Sequence, residues 1–204
     1  VTLPADVSSQ YISSLMMLGV SLKNGLEIIL SSNFTSLPYI LMTKKIIERI
    51  GGVVKIQDRK IFIEQFKEKV IPEQFVESDW SSASYFYSLA ALSKSVKLTL
   101  SKFSKHSLQG DSRLKDIYKK FGVETIFEDE KIILTKNNIS LPKSIHLNLI
   151  DNPDLAQTIL ITCLGLGIDC TLEGLHTLKI KETDRLMALK LSLIHISEPT
   201  RPIH

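Results

Sequence analysis

Two sets of landmarks recur at a fixed interval along this chain. Ser8, Ser81 and Asp154 stand 73 residues apart in turn, and each opens a stretch with a helical apolar face. Ser36, Gln109 and Glu182 keep the same 73-residue step, each at the start of a second such stretch. The order between landmarks is constant. A helix (Tyr11–Val20, Ala83–Leu92, Leu155–Leu164) precedes a short apolar strand (Leu26–Leu30, Val96–Leu100, Cys170–Gly174). A second helix follows, over Thr35–Ile50 and Lys115–Phe121, and begins a third time at Lys181–Arg185. Two copies then carry a hairpin, Val53–Ile56 with Lys60–Glu64 and Val123–Phe127 with Lys131–Leu134. Lead-in strands are predicted at Val1–Leu3 and Ile145–Ile150. Pro38 is tolerated in a first helical turn, and Gly51 and Gly122 suit left-handed helix ends. Each copy is thus a βαβαββ unit of α/β class. Such a unit buries its faces only by packing on another copy. The period is longer than that of common solenoids, which suits copies gathered around a shared core better than a stacked rod.

Composition narrows what the repeat can do. The chain has 204 residues, 44% hydrophobic and 23% charged, as in ordinary soluble domains. Net charge is only +3 and the lysines alternate with acids, so there is no nucleic-acid signature. Apolar runs reach about five residues, far short of a membrane span. Cys163 and Cys170 read as reduced core thiols. His106, His146, His176, His195 and His204 show no metal-ligand spacing. Val1 is not a start methionine, and no signal peptide precedes the first unit. The expectation is a cytoplasmic protein without metal or cofactor.

The chemistry concentrates at the helix starts. Lys181, Glu182, Asp184 and Arg185 fall within five positions, just before the apolar run that begins at Leu186. A helix N-terminus offers unpaired N–H groups and partial positive charge, and neighbouring cations strengthen its pull on anions. A carboxyl group held among cations and substrate can serve as general acid or base. In isolation such a cluster reads as a solvated first turn. The repeat changes that, because copies packed about a pseudo-symmetry axis bring their helix starts together. Ser8-Ser9-Gln10 and Lys181–Arg185 therefore read as functional. Ser81, Ser82 and Gln109 read as caps.

Six motifs stand in order: Ser8-Ser9-Gln10, Ser36–Ile40, Asp79–Tyr85, Gln109-Gly110-Asp111, Asp154–Thr158 and Lys181–Leu186. Together they resemble the 5-enolpyruvylshikimate-3-phosphate synthase family, over residues 1 to about 190. The resemblance implies two domains, each of three βαβαββ units, in an inside-out α/β barrel arrangement that is incomplete here. It makes residues 1–76 the last unit of the first domain, 77–149 the first unit of the second, and 150–190 a truncated next unit. It implies transfer of the carboxyvinyl group of phosphoenolpyruvate to the 5-hydroxyl of shikimate 3-phosphate, by addition and then loss of phosphate. By motif position Ser8, Ser9, Ser36 and Lys181 resemble shikimate-phosphate contacts, and Gln10 a residue near both substrates. Asp154 resembles the base that also binds ring hydroxyls, Glu182 the proton donor, and Arg185 a clamp on phosphoenolpyruvate. Thr177 falls where many members place an asparagine against the ring, and Ala5 where they commonly have glycine. The family is monomeric, with no cofactor, membrane or nucleic-acid partner.

The same resemblance implies lysine and arginine sets from further units, which this chain does not carry. Leu191–Arg201 resembles a translated sequencing-library adaptor, so residues 191–204 are expected to be a non-native tail and the helix to break at Lys190. The fragment by itself is then expected to be inactive. Two alternatives share the repeat. One is the related transferase acting on UDP-N-acetylglucosamine, whose reactive-cysteine loop would lie upstream. The other is an anion-binding or RNA-end-binding protein, which calls for a basic face and a histidine nucleophile.

Overall fold

The computed structural model describes residues 1–4, 8–31, 36–66, 73 and 75–197. The expectations placed on Ala5, on Thr35 and on residues 198–204 fall outside these. In the first copy, strands β1 (Thr2–Leu3) and β2 (Leu26–Leu30) run parallel, joined through helix α1 (Ser9–Gly19). Helix α2 (Leu37–Arg49) leads to the hairpin of β3 (Val54–Gln57) and β4 (Lys60–Ile63). Strand β4 lies antiparallel between β2 and β3, giving the order β1-β2-β4-β3. Alternation along a strand sends every second side chain to one face. Ile28 and Leu30 of β2 and Ile61 and Ile63 of β4 are accordingly buried. Ile12 and Met16 of α1, one turn apart, join Ile40 and Ile47 of α2 and Val54 in the same core. Helices of 11 and 13 residues are marginal alone. Burial of each such side chain, worth about 1.5–3 kcal/mol, holds them. Gly51, at φ +93°, ends α2 by donating its N–H to Glu48 O at 3.0 Å.

The second copy repeats the pattern with α3 (Trp80–Leu92), β5 (Lys97–Ser101), α4 (Leu114–Lys119), and the hairpin β6 (Val123–Glu128) and β7 (Lys131–Lys136). Strand β7 lies antiparallel between β5 and β6, as β4 does between β2 and β3. In the third copy β8 (Ser144–Asn148) runs parallel to β9 (Asp169–Glu173) through helix α5 (Ala156–Leu166), as β1 does to β2. Helix α6 (Arg185–Ser197) follows.

The second and third copies share one core, separate from that of the first. Trp80, Tyr87, Tyr118 and Phe121 are fully buried in it. Trp80 meets Phe103 edge-on at 5.0 Å, and Tyr118 meets Tyr87 at 5.5 Å. Buried hydroxyls tie its helices together. Tyr118 and Thr162 hydroxyls lie 2.9 Å apart, and Thr162 donates to Ser88 at 2.8 Å. Cys163 is buried and Cys170 half-buried, both unbridged. Burial pushes the Cys163 thiol up to about 12. No helix among the described residues is long and apolar enough to cross a membrane.

Three local expectations need correction. The second helix of the second copy starts as a 3₁₀ turn, Gly110–Arg113, and its α-helical part is only six residues long. Lys181 and Glu182 do not open α6. They follow a 3₁₀ turn at His176–Ile180, and Asp184 caps the helix by accepting from Leu186 N and Met187 N at 3.0 Å each. Finally, α6 does not break at Lys190. Leu186, Leu189 and Leu193 recur at helical spacing and line an apolar groove of about 420 Å³ with Leu160 and Leu172, so the amphipathic face runs on.

Candidate functional site

Four helix starts supply one polar cavity of about 450 Å³. From α1 comes Gln10. Ser8 caps that helix, its Oγ accepting from Gln10 N at 3.4 Å. From α3 come Ser81, Ser82, Ser84 and Tyr85. The start of α3 is held by Asp79, which accepts from Ser81 N at 3.0 Å, Ser82 N at 3.1 Å and Ser82 Oγ at 2.6 Å. Burial works against the charge on Asp79, but the bonds from Ser82 and Ser81 outweigh it and hold its carboxyl below the ordinary value. From the third copy come Asp154, Gln157, Lys181, Glu182 and Arg185.

Arg185 organises the charged wall. Its Nη1 donates to Asp154 Oδ1 at 2.8 Å and its Nη2 to Glu182 Oε2 at 2.7 Å. Lys181 Nζ sits 3.5 Å from the other oxygen of Asp154. The planar guanidinium thus spans two carboxylates with a fixed fork, which an ammonium could not do. Glu182 is 73% exposed. A hydrogen bond from its own backbone N–H to the carboxylate, and then the Arg185 guanidinium, hold its carboxyl below the usual carboxylate value.

The structure brings Gln10, Asp154, Lys181, Glu182 and Arg185 together around the cavity. Ser8, Ser9, Ser36 and Thr177 are not among its lining residues. Ser8 sits one step back, its hydroxyl donating to Gln10 Oε1 at 3.5 Å. Ser36 is buried at the head of α2 with φ +52° and makes no side-chain cap bond. A serine in that left-handed region carries about 1–3 kcal/mol of strain, which surrounding packing must overcome. Thr177 is 4% exposed and its hydroxyl lacks a partner. Sequence reasoning missed Ser84, Tyr85 and Gln157 and took Ser81 and Ser82 only as caps. Gln157 had a signal, since it follows Asp154 by three residues and so shares its helical face. Its Oε1 is buried without a partner beside the charged wall. Among the described residues no group of three or more His, Cys, Asp or Glu could hold a metal.

A mixed-sheet α/β repeat with cations and carboxylates gathered at converging helix starts defines the class, and known proteins of that class match it. The EPSP synthase (3-phosphoshikimate 1-carboxyvinyltransferase) family model matches residues 1–196. The 3-phosphoshikimate 1-carboxyvinyltransferase of Bacteroides fragilis (strain YCH46) is 41% identical over 194 residues, covering 95% of this chain and 47% of that protein. The enzyme of the same name from Methanococcus aeolicus is 38% identical over 194 residues, covering 92% and 44% respectively. The EPSP synthase of Acinetobacter baumannii superposes with a TM-score of 0.68 at 19% identity, covering 95% of this chain and 44% of that one, a likeness of fold. This chain belongs to the EPSP synthase family. It spans about half the length of the curated relatives it matches. The names those relatives carry do not favour the UDP-sugar or RNA-end readings.

Proposed function

We propose that this chain forms about half of an enzyme that transfers the carboxyvinyl group of phosphoenolpyruvate to the 5-hydroxyl of shikimate 3-phosphate, releasing phosphate. The observation that carries the reading is the Arg185 fork across Asp154 and Glu182, with Lys181 on the second oxygen of Asp154. Both substrates carry a phosphate and a carboxylate, and the reaction needs cations, a base and an acid at one place. Asp154 takes the proton of the attacking hydroxyl as its oxygen bonds to the central carbon of phosphoenolpyruvate. Glu182 gives a proton to the methylene carbon, making a methyl group. Phosphate then leaves from the tetrahedral intermediate as the methyl group returns a proton, restoring the double bond.

The ligand-free geometry suggests how Glu182 becomes an acid. An incoming anion competes with Asp154 and Glu182 for Arg185. Once Arg185 turns to the anion, Glu182 loses its cation and gains a negative neighbour, and both changes raise its affinity for a proton. Gln10, Ser81 and Ser82 lie on the facing wall, within the same cavity. Residues 1–76 are the last unit of one domain, 77–149 the first unit of the next and 150–190 part of its second unit. The enzyme works in the cytoplasm, as a monomer and without a cofactor.

The test is phosphate release by the complete protein, assayed with each substrate singly and with both together. Release that needs both supports the reading. No release with either order of addition overturns it. The 204-residue chain alone should bind shikimate 3-phosphate weakly or not at all, since it spans only about half the length of the relatives it matches. Micromolar binding by calorimetry would contradict that.

A further inference from the structure

The Gln109-Gly110-Asp111 motif takes no part in the chemistry above, yet three parts of the molecule meet there. Gln109 Nε2 donates to Ser78 O at 2.8 Å and its Oε1 accepts from Trp80 N at 2.9 Å, which fixes the start of α3. Gly110 lies so close to α2 that a Cβ there would stand 2.6 Å from Pro38 Cβ and 3.2 Å from Asn152 Nδ2. Asp111 is 1% exposed, the one buried acid among the described residues. Its Oδ2 accepts a short bond from Ser81 Oγ, and its Oδ1 accepts from Asn152 Nδ2 at 3.3 Å. Tyr39 of α2 interacts with the same carboxylate, which helps push the Tyr39 phenol well above its ordinary value after burial.

These three neighbours come from different places. Tyr39 belongs to α2, whose apolar face builds the first core. Ser81 belongs to α3, in the second core, and lines the cavity. Asn152 stands two residues before Asp154, in the turn that aims it. A buried carboxylate is tolerated when hydrogen bonds replace its water, and the donors Ser81 and Asn152 do this. Burial still favours its protonated form, raising its proton affinity above the ordinary value.

We infer that Asp111 is a positioning residue. It fixes Ser81 and the Asn152–Asp154 turn against Tyr39, so that two separate cores present one cavity. The inference rests on the proposed role of Asp154 only for its effect on turnover. An amide has the shape of a carboxylate but accepts on one side only, so Asp111→Asn keeps the packing and loses part of the joint.

Two measurements decide it. In the complete protein, Asp111→Asn should lower kcat at least tenfold while KM for both substrates stays within threefold. Wild-type kcat, or a loss matched by an equal loss of folded protein, overturns the inference. In the 204-residue chain, urea midpoints of Asp111→Asn, Tyr39→Phe and the double variant should be non-additive, the double variant unfolding close to Asp111→Asn alone. Additive shifts overturn the joint itself. If the wild-type protein proves inactive, the proposed reaction fails, and the urea cycle still decides the joint.

Discussion

Arg185 and Asp154, 31 positions apart in sequence, meet at 2.8 Å through Nη1 and Oδ1. The same guanidinium holds Glu182 through its other terminal nitrogen. One cation therefore restrains both carboxylates for which proton transfer is proposed, and displacing it frees Glu182 while Lys181 stays beside Asp154.

Replacing Arg185 by lysine keeps the charge and removes the fork. One charge-assisted hydrogen bond, about 1.5–3 kcal/mol, is lost. In the complete protein kcat/KM for phosphoenolpyruvate should fall roughly 10- to 100-fold at constant salt. Steady-state kinetics showing less than a twofold change would remove Arg185 from the anion site.

Glu182→Gln keeps size and hydrogen bonding but carries no transferable proton. Turnover in the complete protein should fall by roughly 10²–10⁴-fold while substrate dissociation constants change little. Near-normal turnover would take the acid role away from Glu182.

The pH dependence of stability should carry the signature of Asp111. Burial lifts its carboxyl above the ordinary 3.8, so the native state holds the proton more tightly than the unfolded chain. That contribution is fully present below the unfolded value and is lost as pH rises through the native one. The stability of the wild type relative to Asp111→Asn should therefore decline as pH rises from about 3 toward 7. Paired urea titrations giving a flat difference would contradict the buried charge.

Gly110→Ala introduces a Cβ 2.6 Å from Pro38 Cβ. Neither a proline ring nor the backbone carrying it yields easily, so the chain should lose about 1–3 kcal/mol of stability. Calorimetric melting with an unchanged midpoint would show that α2 does not pack there.

Much of the fold was legible because hydrophobic periodicity and turn chemistry are local. The alternation that buries Ile61 and Ile63, the helical spacing of Ile12 and Met16, and the left-handed Gly51 follow from neighbours in sequence. The helix after Lys181 was less legible. Four charges in five residues look like a first turn, but Asp184 alone supplies the cap, Arg185 opens the helix, and Lys181 and Glu182 stand ahead of it.

The sequence by itself determined the 73-residue repeat, the α/β class and the charged residues of Lys181–Arg185. Each depends on residue type and spacing along one segment. Only the tertiary structure decided that Arg185 reaches back to Asp154, that Ser81 and Gln157 line the same cavity, and that Asp111 is buried beneath donors from Ser81 and Asn152. Those facts depend on where separate helices meet, and hydrogen bonds between distant segments leave no period in the chain.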